Sequence, residues 1–136
     1  MATRSEIEGL IRNIQEKIER YLQTIDDCNK KIARLKPVYR KLGDIKSCFR
    51  SARKSTAEIF EEKGTWRGEK HTSFCNDGIV LDNSYGEYYN RLDAAQDAVN
   101  SKIGELESKI HELDPLVGKL KAQITQLWID FQNAVN

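Results

Sequence analysis

Residues 99–134 read VNSKIGELESKIHELDPLVGKLKAQITQLWIDFQNA, and their apolar residues recur in alternating steps of four and three. Ile103, Ile110, Val117, Ile124 and Phe131 take position a of a heptad, while Val99, Leu106, Leu113, Leu120, Leu127 and Ala134 take position d. Leu92 and Tyr85 continue the d series upstream. An apolar stripe repeating every 3.5 residues drifts slowly round a helix, and a second helix can follow it only by supercoiling to the left. β-branched residues at a with Leu at d suit a two-stranded seam.

The first half of the chain carries the same repeat. Ile11, Ile18, Ile25, Ile32 and Tyr39 fall at a, with Ile7, Ile14, Tyr21, Cys28, Leu35 and Leu42 at d. This predicts a helix from about Ser5 to Lys63, with Ser5 and Glu8 at capping-box spacing. Pro37 and Pro115 interrupt the two arms, and each lacks the N–H of a helical hydrogen bond, so a kink is expected near each. A hairpin that sets the two prolines opposite each other is one arrangement. Between the arms, Gly64-Thr65-Trp66-Arg67-Gly68 has the low helix propensity of a reversal. Asn76-Asp77-Gly78 and Asp82-Asn83-Ser84 then predict an irregular start to the second arm. The expected fold is an all-α, elongated antiparallel helical hairpin, a coiled coil with kinked long arms and a Trp-x-Gly turn. It forms a single helical domain over 1–136: first arm 1–63, turn and irregular helix start 64–84, second arm 85–136. A basic run from Lys30 to Lys54 and an acidic one from Glu87 to Asp114 then lie alongside each other and set the register.

Composition narrows the function. The 136 residues are 39% apolar and 32% charged with a net charge of +1, which suits solvent-washed helices and gives no global pull toward nucleic acid or membrane surfaces. Lysines and arginines of the basic run offer phosphate contacts, but the aromatics among them, Tyr39 and Phe49, sit on the heptad stripe where packing explains them. Cys28, Cys48 and Cys75 are odd in number and have no C-x-x-C spacing, so they read as reduced thiols of a cytoplasmic protein. No Sec-type signal peptide or membrane span is encoded. His71 and His111 are too few and too far apart for a metal site, and His71 beside Cys75 reads as a bland surface pair before it reads as an activated thiolate. With no phosphate loop, nucleophile elbow or paired carboxylates, neither enzyme activity nor a cofactor is expected.

The apolar stripe is wider than one hairpin covers. Leu10, Val38 and Ile45 flank the first seam; Leu116, Trp128 and Ile129 flank the second, beside Leu127 and Phe131. Val38, Ile45, Leu116, Leu127, Trp128, Ile129 and Phe131 are therefore the expected partner-binding residues. For Trp128 two readings stand level: an anchor for a helical partner, or a cap folded over Leu10 and Ile14 at the open end of the hairpin.

At the expected turn, residues 66–74 read W-x-G-x-K-x-x-x-F, carried by Trp66, Gly68, Lys70 and Phe74. This resembles the WXG superfamily of small helical hairpins exported by type VII secretion, and more narrowly the YwqH-like proteins of Gram-positive bacteria. The layout covers nearly the whole chain, the motif about ten residues. The resemblance implies a chaperone-like adaptor that binds the helical N-terminal domain of an LXG-type toxin, with a second small helical accessory protein as a further partner, and export together with that partner. Substrates of this pathway carry a Y-x-x-x-D/E signal, which Tyr89 and Asp93 fit, although such signals usually follow the second helix and an ordinary helix-surface tyrosine fits equally. A stand-alone coiled-coil scaffold or homodimer without a secretion role is the competing reading.

Overall fold

A computed structural model describes residues 2–59 and 69–134, apart from the side chains of Glu69, Lys70 and His71. Two helices account for it: α1, Arg4–Ile59, and α2, Glu69–Asn133. They pack as an antiparallel pair, since Lys46 meets Asp93 and, further along α1, Arg53 meets the earlier Asp82. The all-α hairpin expected from the heptads is thus the fold.

Two local expectations change. The N-cap is Thr3 rather than Ser5: the Glu6 N–H donates to Thr3 Oγ1 at 3.2 Å, and the Ile7 N–H donates to the Thr3 carbonyl at 3.0 Å. Thr3 and Glu6 have the same capping spacing as Ser5 and Glu8, and the earlier start adds Arg4 to the helix, where its guanidinium lies 5.2 Å from the Phe131 ring centre. The irregular start of the second arm is not found over 69–84, because α2 is continuous from Glu69. There Gly78 falls at a buried d position, Arg53 holds Asp82, and Ser84 Oγ donates back to the Val80 carbonyl at 3.2 Å, so packing overrides weak propensity. Both helices are continuous through their prolines.

By its contacts the chain forms two compact units, one of residues 1–34 with 103–136 and one of residues 35–102. Pro115 belongs to the first and Pro37 to the second, so they are not paired across one hairpin level. In unit 1, α1 contributes Ile7, Ile11, Ile18, Cys28 and Ile32, and α2 contributes Ile103, Leu106, Leu113 and Val117. All nine are buried and all are a or d positions, so this seam is a dry aliphatic one.

In unit 2 the register continues while the residue types change. Positions a become Tyr39, Lys46 and Arg53 on α1 and Cys75, Asp82, Tyr89 and Gln96 on α2; positions d include Leu42, Phe49, Tyr85 and Leu92. Lys46 Nζ donates to Asp93 Oδ1 at 2.6 Å and to Gln96 Oε1 at 3.0 Å, while Gln96 Nε2 donates to the Tyr39 carbonyl at 3.3 Å. Arg53 grips Asp82 through Nε at 2.7 Å and Nη2 at 3.0 Å. Glycines at e make room for these long side chains: a Cβ on Gly43 would stand 3.1 Å from Gln96 Nε2, and one on Gly86 would stand 3.5 Å from Arg53 Nη1.

Candidate partner-binding surfaces

In an antiparallel pair, e positions of one helix lie beside e positions of the other, and g beside g. On the e side of unit 2 the contacts are polar. Lys46 keeps only 16% of its side chain exposed, and its hydrogen bond to Asp93 raises its pKa above the ordinary lysine value against the cost of desolvation. The bidentate hydrogen bond from Arg53 likewise lowers the pKa of Asp82. Arg50 Nη2 donates to Tyr89 Oη at 2.6 Å, and Lys46 Nζ and the Arg50 guanidinium lie 5.2 and 5.5 Å from the Tyr89 ring centre. Tyr89 and Asp93, the two residues of the export-signal pattern, are therefore both bound to α1 across the hairpin, each still partly exposed.

The other side of unit 2 is apolar. Position g runs Val38, Ile45, Ala52 and Ile59 on α1, and Phe74, Leu81, Tyr88 and Ala95 on α2. Val38, Ile45, Ile59, Leu81 and Tyr88 are exposed. Phe49 joins this face to the seam, with its ring centre 6.0 Å from Tyr85 and 5.8 Å from Tyr88. Val38 and Ile45 were legible as flanking residues. Ile59, Leu81 and Tyr88 were missed, although their seven-residue spacing at g was there to be read.

In unit 1 the expected partner residues divide. Trp128 is 45% exposed and stands edge-on to Phe131, ring centres 5.4 Å apart and planes at 80°. Leu127 and Phe131 are half-buried, while Ile129 and Leu116 are exposed on positions f and g. Leu10, itself exposed, and Leu127 share the lining of two open grooves, one of about 410 Å³ that reaches Ala2, Ile7 and Ala134, and one of about 310 Å³ that reaches Ile14 and Gln126. Trp128 lines neither groove. Of the turn motif, Trp66 and Gly68 lie outside the described residues, as does the side chain of Lys70; Phe74 is half-buried near the start of α2.

Among the described residues no group of three or more His, Cys, Asp or Glu is placed to hold a metal ion, and no helix is long and apolar enough to cross a membrane. What the chain presents is apolar surface on a two-helix coiled coil. That combination defines the class, a helical hairpin with heptad rows left outside its own seam. The chain belongs to the YwqH-like family, whose pattern matches residues 23–128. No curated protein and no solved structure matches it.

Proposed function

We propose that this chain is a non-catalytic adaptor that binds the helical N-terminal domain of an LXG-type toxin and presents it for type VII secretion, residing in the cytoplasm until it leaves with its cargo. The observation carrying the reading is the apolar surface left at the end of unit 1, where the half-exposed indole of Trp128 stands against Phe131 and, apart from it, Leu10 and Leu127 line open grooves. Membership of the YwqH-like family supports the choice of partner. An indole seated in a helical groove is a common hot spot, worth about 2 kcal/mol or more. Because Tyr89 and Asp93 are engaged by Arg50 and Lys46, the export signal of the complex is supplied by the toxin or by another accessory helix.

The test is titration of the full chain with the toxin's helical domain. Trp128→Ala is expected to weaken binding about tenfold or more while moving the melting temperature of the free chain little. A large loss of stability with binding intact would place the indole in the core instead. Tyr89→Phe with Asp93→Asn is expected to leave secretion of the toxin unchanged.

A further inference from the structure

The side of unit 2 opposite its apolar g face carries an excess of positive charge. On positions a, b and e, α1 presents six cations, Lys36, Arg40, Lys46, Arg50, Arg53 and Lys54, and no acid. Over residues 82–100 of α2 the same positions hold three carboxylates, Asp82, Asp93 and Asp97, and no cation. Lys46 takes Asp93 and Arg53 takes Asp82. Lys36, Arg40, Arg50 and Lys54 are left exposed, in no ion pair among the described residues.

The spacing of these four cations selects the shape of what they bind. Lys36 with Arg40 forms one cluster and Arg50 with Lys54 another, each at e and b, and the second repeats the first fourteen residues on. Fourteen residues are two heptads, about 21 Å along a helix, and a helix laid beside α1 returns the same face at that interval. Between the helices the e positions Gly43 and Gly86 carry no side chain, so the flank is open to close approach. At the second cluster a cavity of about 280 Å³ is lined by Phe49, Arg50, Arg53, Tyr85 and Tyr89. Arg50 uses Nη2 on Tyr89, and Arg53 uses Nε and Nη2 on Asp82. Outside those hydrogen bonds, Arg50 Nε and Nη1 and Arg53 Nη1 are donors for a carboxylate that enters the cavity.

A uniform polyanion fits this flank less well. Asp93, held by Lys46, lies between the clusters, and Asp97 one turn closer to Lys36 and Arg40. A phosphate backbone or an anionic bilayer that touched both clusters would be held against these two carboxylates, whereas discrete acids at the two ends avoid them. We infer that the e flank of unit 2 docks a helix of a partner protein that carries acidic residues two heptads apart and basic or neutral ones between. One of its carboxylates seats between Arg50 and Arg53, and the other meets Lys36 and Arg40. The residues involved belong to unit 2 alone, so this docking requires neither Trp128 nor a toxin.

The probe is a designed three-heptad helical peptide with two glutamates placed two heptads apart and a lysine midway on the same face. Fluorescence anisotropy with the full chain is expected to give a dissociation constant on the order of 100 µM at about 50 mM salt, and weaker binding at about 300 mM. The same peptide with its charge signs exchanged should bind at least about tenfold more weakly. Lys54→Glu, and independently Arg50→Glu, should weaken the acidic peptide about fivefold with helix content unchanged by circular dichroism. Replacing the matching peptide glutamate by lysine should then restore binding to within about twofold. Trp128→Ala should leave peptide binding as it was, so a chain that binds the toxin's helical domain but not the peptide loses this inference alone. Equal binding of the two peptides, or no binding at about 1 mM, would overturn it. So would a thymidine oligonucleotide or phosphatidylglycerol vesicles that bind more tightly than the acidic peptide.

Discussion

Units 1 and 2 run one heptad register through opposite chemistry. Unit 1 fills a and d mainly with Ile, Leu and Val, and its buried residues are all apolar; unit 2 places Lys46, Arg53, Asp82 and Gln96 at a and carries a row of large apolar residues exposed at g. Heptad phase therefore says which residues face the partner helix, and residue type says what the contact does. An aliphatic seam gains stability with little discrimination between registers. Polar a positions lose stability yet admit few registers, because a lysine slipped by one heptad loses both its carboxylate and its amide. Unit 2 holds alignment, and unit 1 holds the fold together.

The largest expected difference lies in core truncation. Leu106 is buried at d in unit 1, and Leu106→Ala should cost about 2–5 kcal/mol by urea denaturation. Leu42, only half-buried at d in unit 2, should cost less than half as much when changed to Ala. Equal losses would erase the distinction between the units.

Next comes the polar layer itself. Replacing Lys46 and Gln96 together by Leu removes the partly desolvated cation and its amide, and should raise the melting temperature by several degrees, as apolar replacement of such pairs often does. Hydrogen exchange should show unit 2 amides gaining protection while those of unit 1 stay as they were. A fall in melting temperature would mean that the Lys46 network contributes more than packing can replace.

Acid should separate the units further. The folded pKa of Asp82 is lowered by Arg53, so its contribution is present above the ordinary carboxylate value and is lost as pH falls through the lowered folded one. Lys46 runs the other way: its contribution holds below the ordinary lysine value and is lost as pH rises through the raised one. Below about pH 4, protection of amides near Asp82 should therefore drop before protection around Ile18 and Leu113. Asp82→Asn should remove that acid dependence. Simultaneous loss in both units would show that the Arg53 pair does not govern local opening.

Much of this was written in the sequence. The period of 3.5 set both helices and their pairing, because side-chain direction follows spacing. Thr3 was harder to see, since two overlapping capping patterns differ only in whether Arg4 reaches Phe131, a tertiary contact. The regular start of α2 was hidden because local propensity at Asn76-Asp77-Gly78 and Asp82-Asn83-Ser84 points to a loop, and packing against the other helix, with Arg53 on Asp82, overrules it. Val38, Ile45 and Trp128 could be picked out as surplus apolar residues. The assembly of the unit 2 face from two g rows needed the pairing level of the helices, which spacing within one helix does not carry. Engagement of Tyr89 and Asp93 was likewise invisible, because Arg50 and Lys46 lie 39 and 47 residues away in the chain.

The smallest expected effect is also the sharpest probe of the polar seam, because it turns on a few tenths of an ångström at a glycine. Alanine is favoured over glycine within a helix by roughly 0.5–1 kcal/mol, so a Gly→Ala change with room for the methyl should stabilise by about that much. Gly104 and Gly118 in unit 1 have nothing within 4 Å of a new Cβ, and should show the full gain in urea denaturation. Gly86 in unit 2 would bring its methyl to 3.5–3.7 Å from the Arg53 guanidinium, an ordinary contact, and should gain nearly as much. Gly43 differs. Its methyl would stand 3.1 Å from Gln96 Nε2, the atom that donates to the Tyr39 carbonyl, on the side chain whose oxygen also accepts from Lys46. Moving that amide strains both hydrogen bonds, each worth about 1 kcal/mol, so Gly43→Ala should come out near zero or slightly destabilising. Adding Gln96→Ala should uncouple the site and return Gly43→Ala to the gain seen at Gly104, a non-additivity of about 1 kcal/mol in a double-mutant cycle. If Gly43→Ala alone already stabilises as much as Gly104→Ala, Gln96 is free to move aside, and the polar layer of unit 2 does not hold the register.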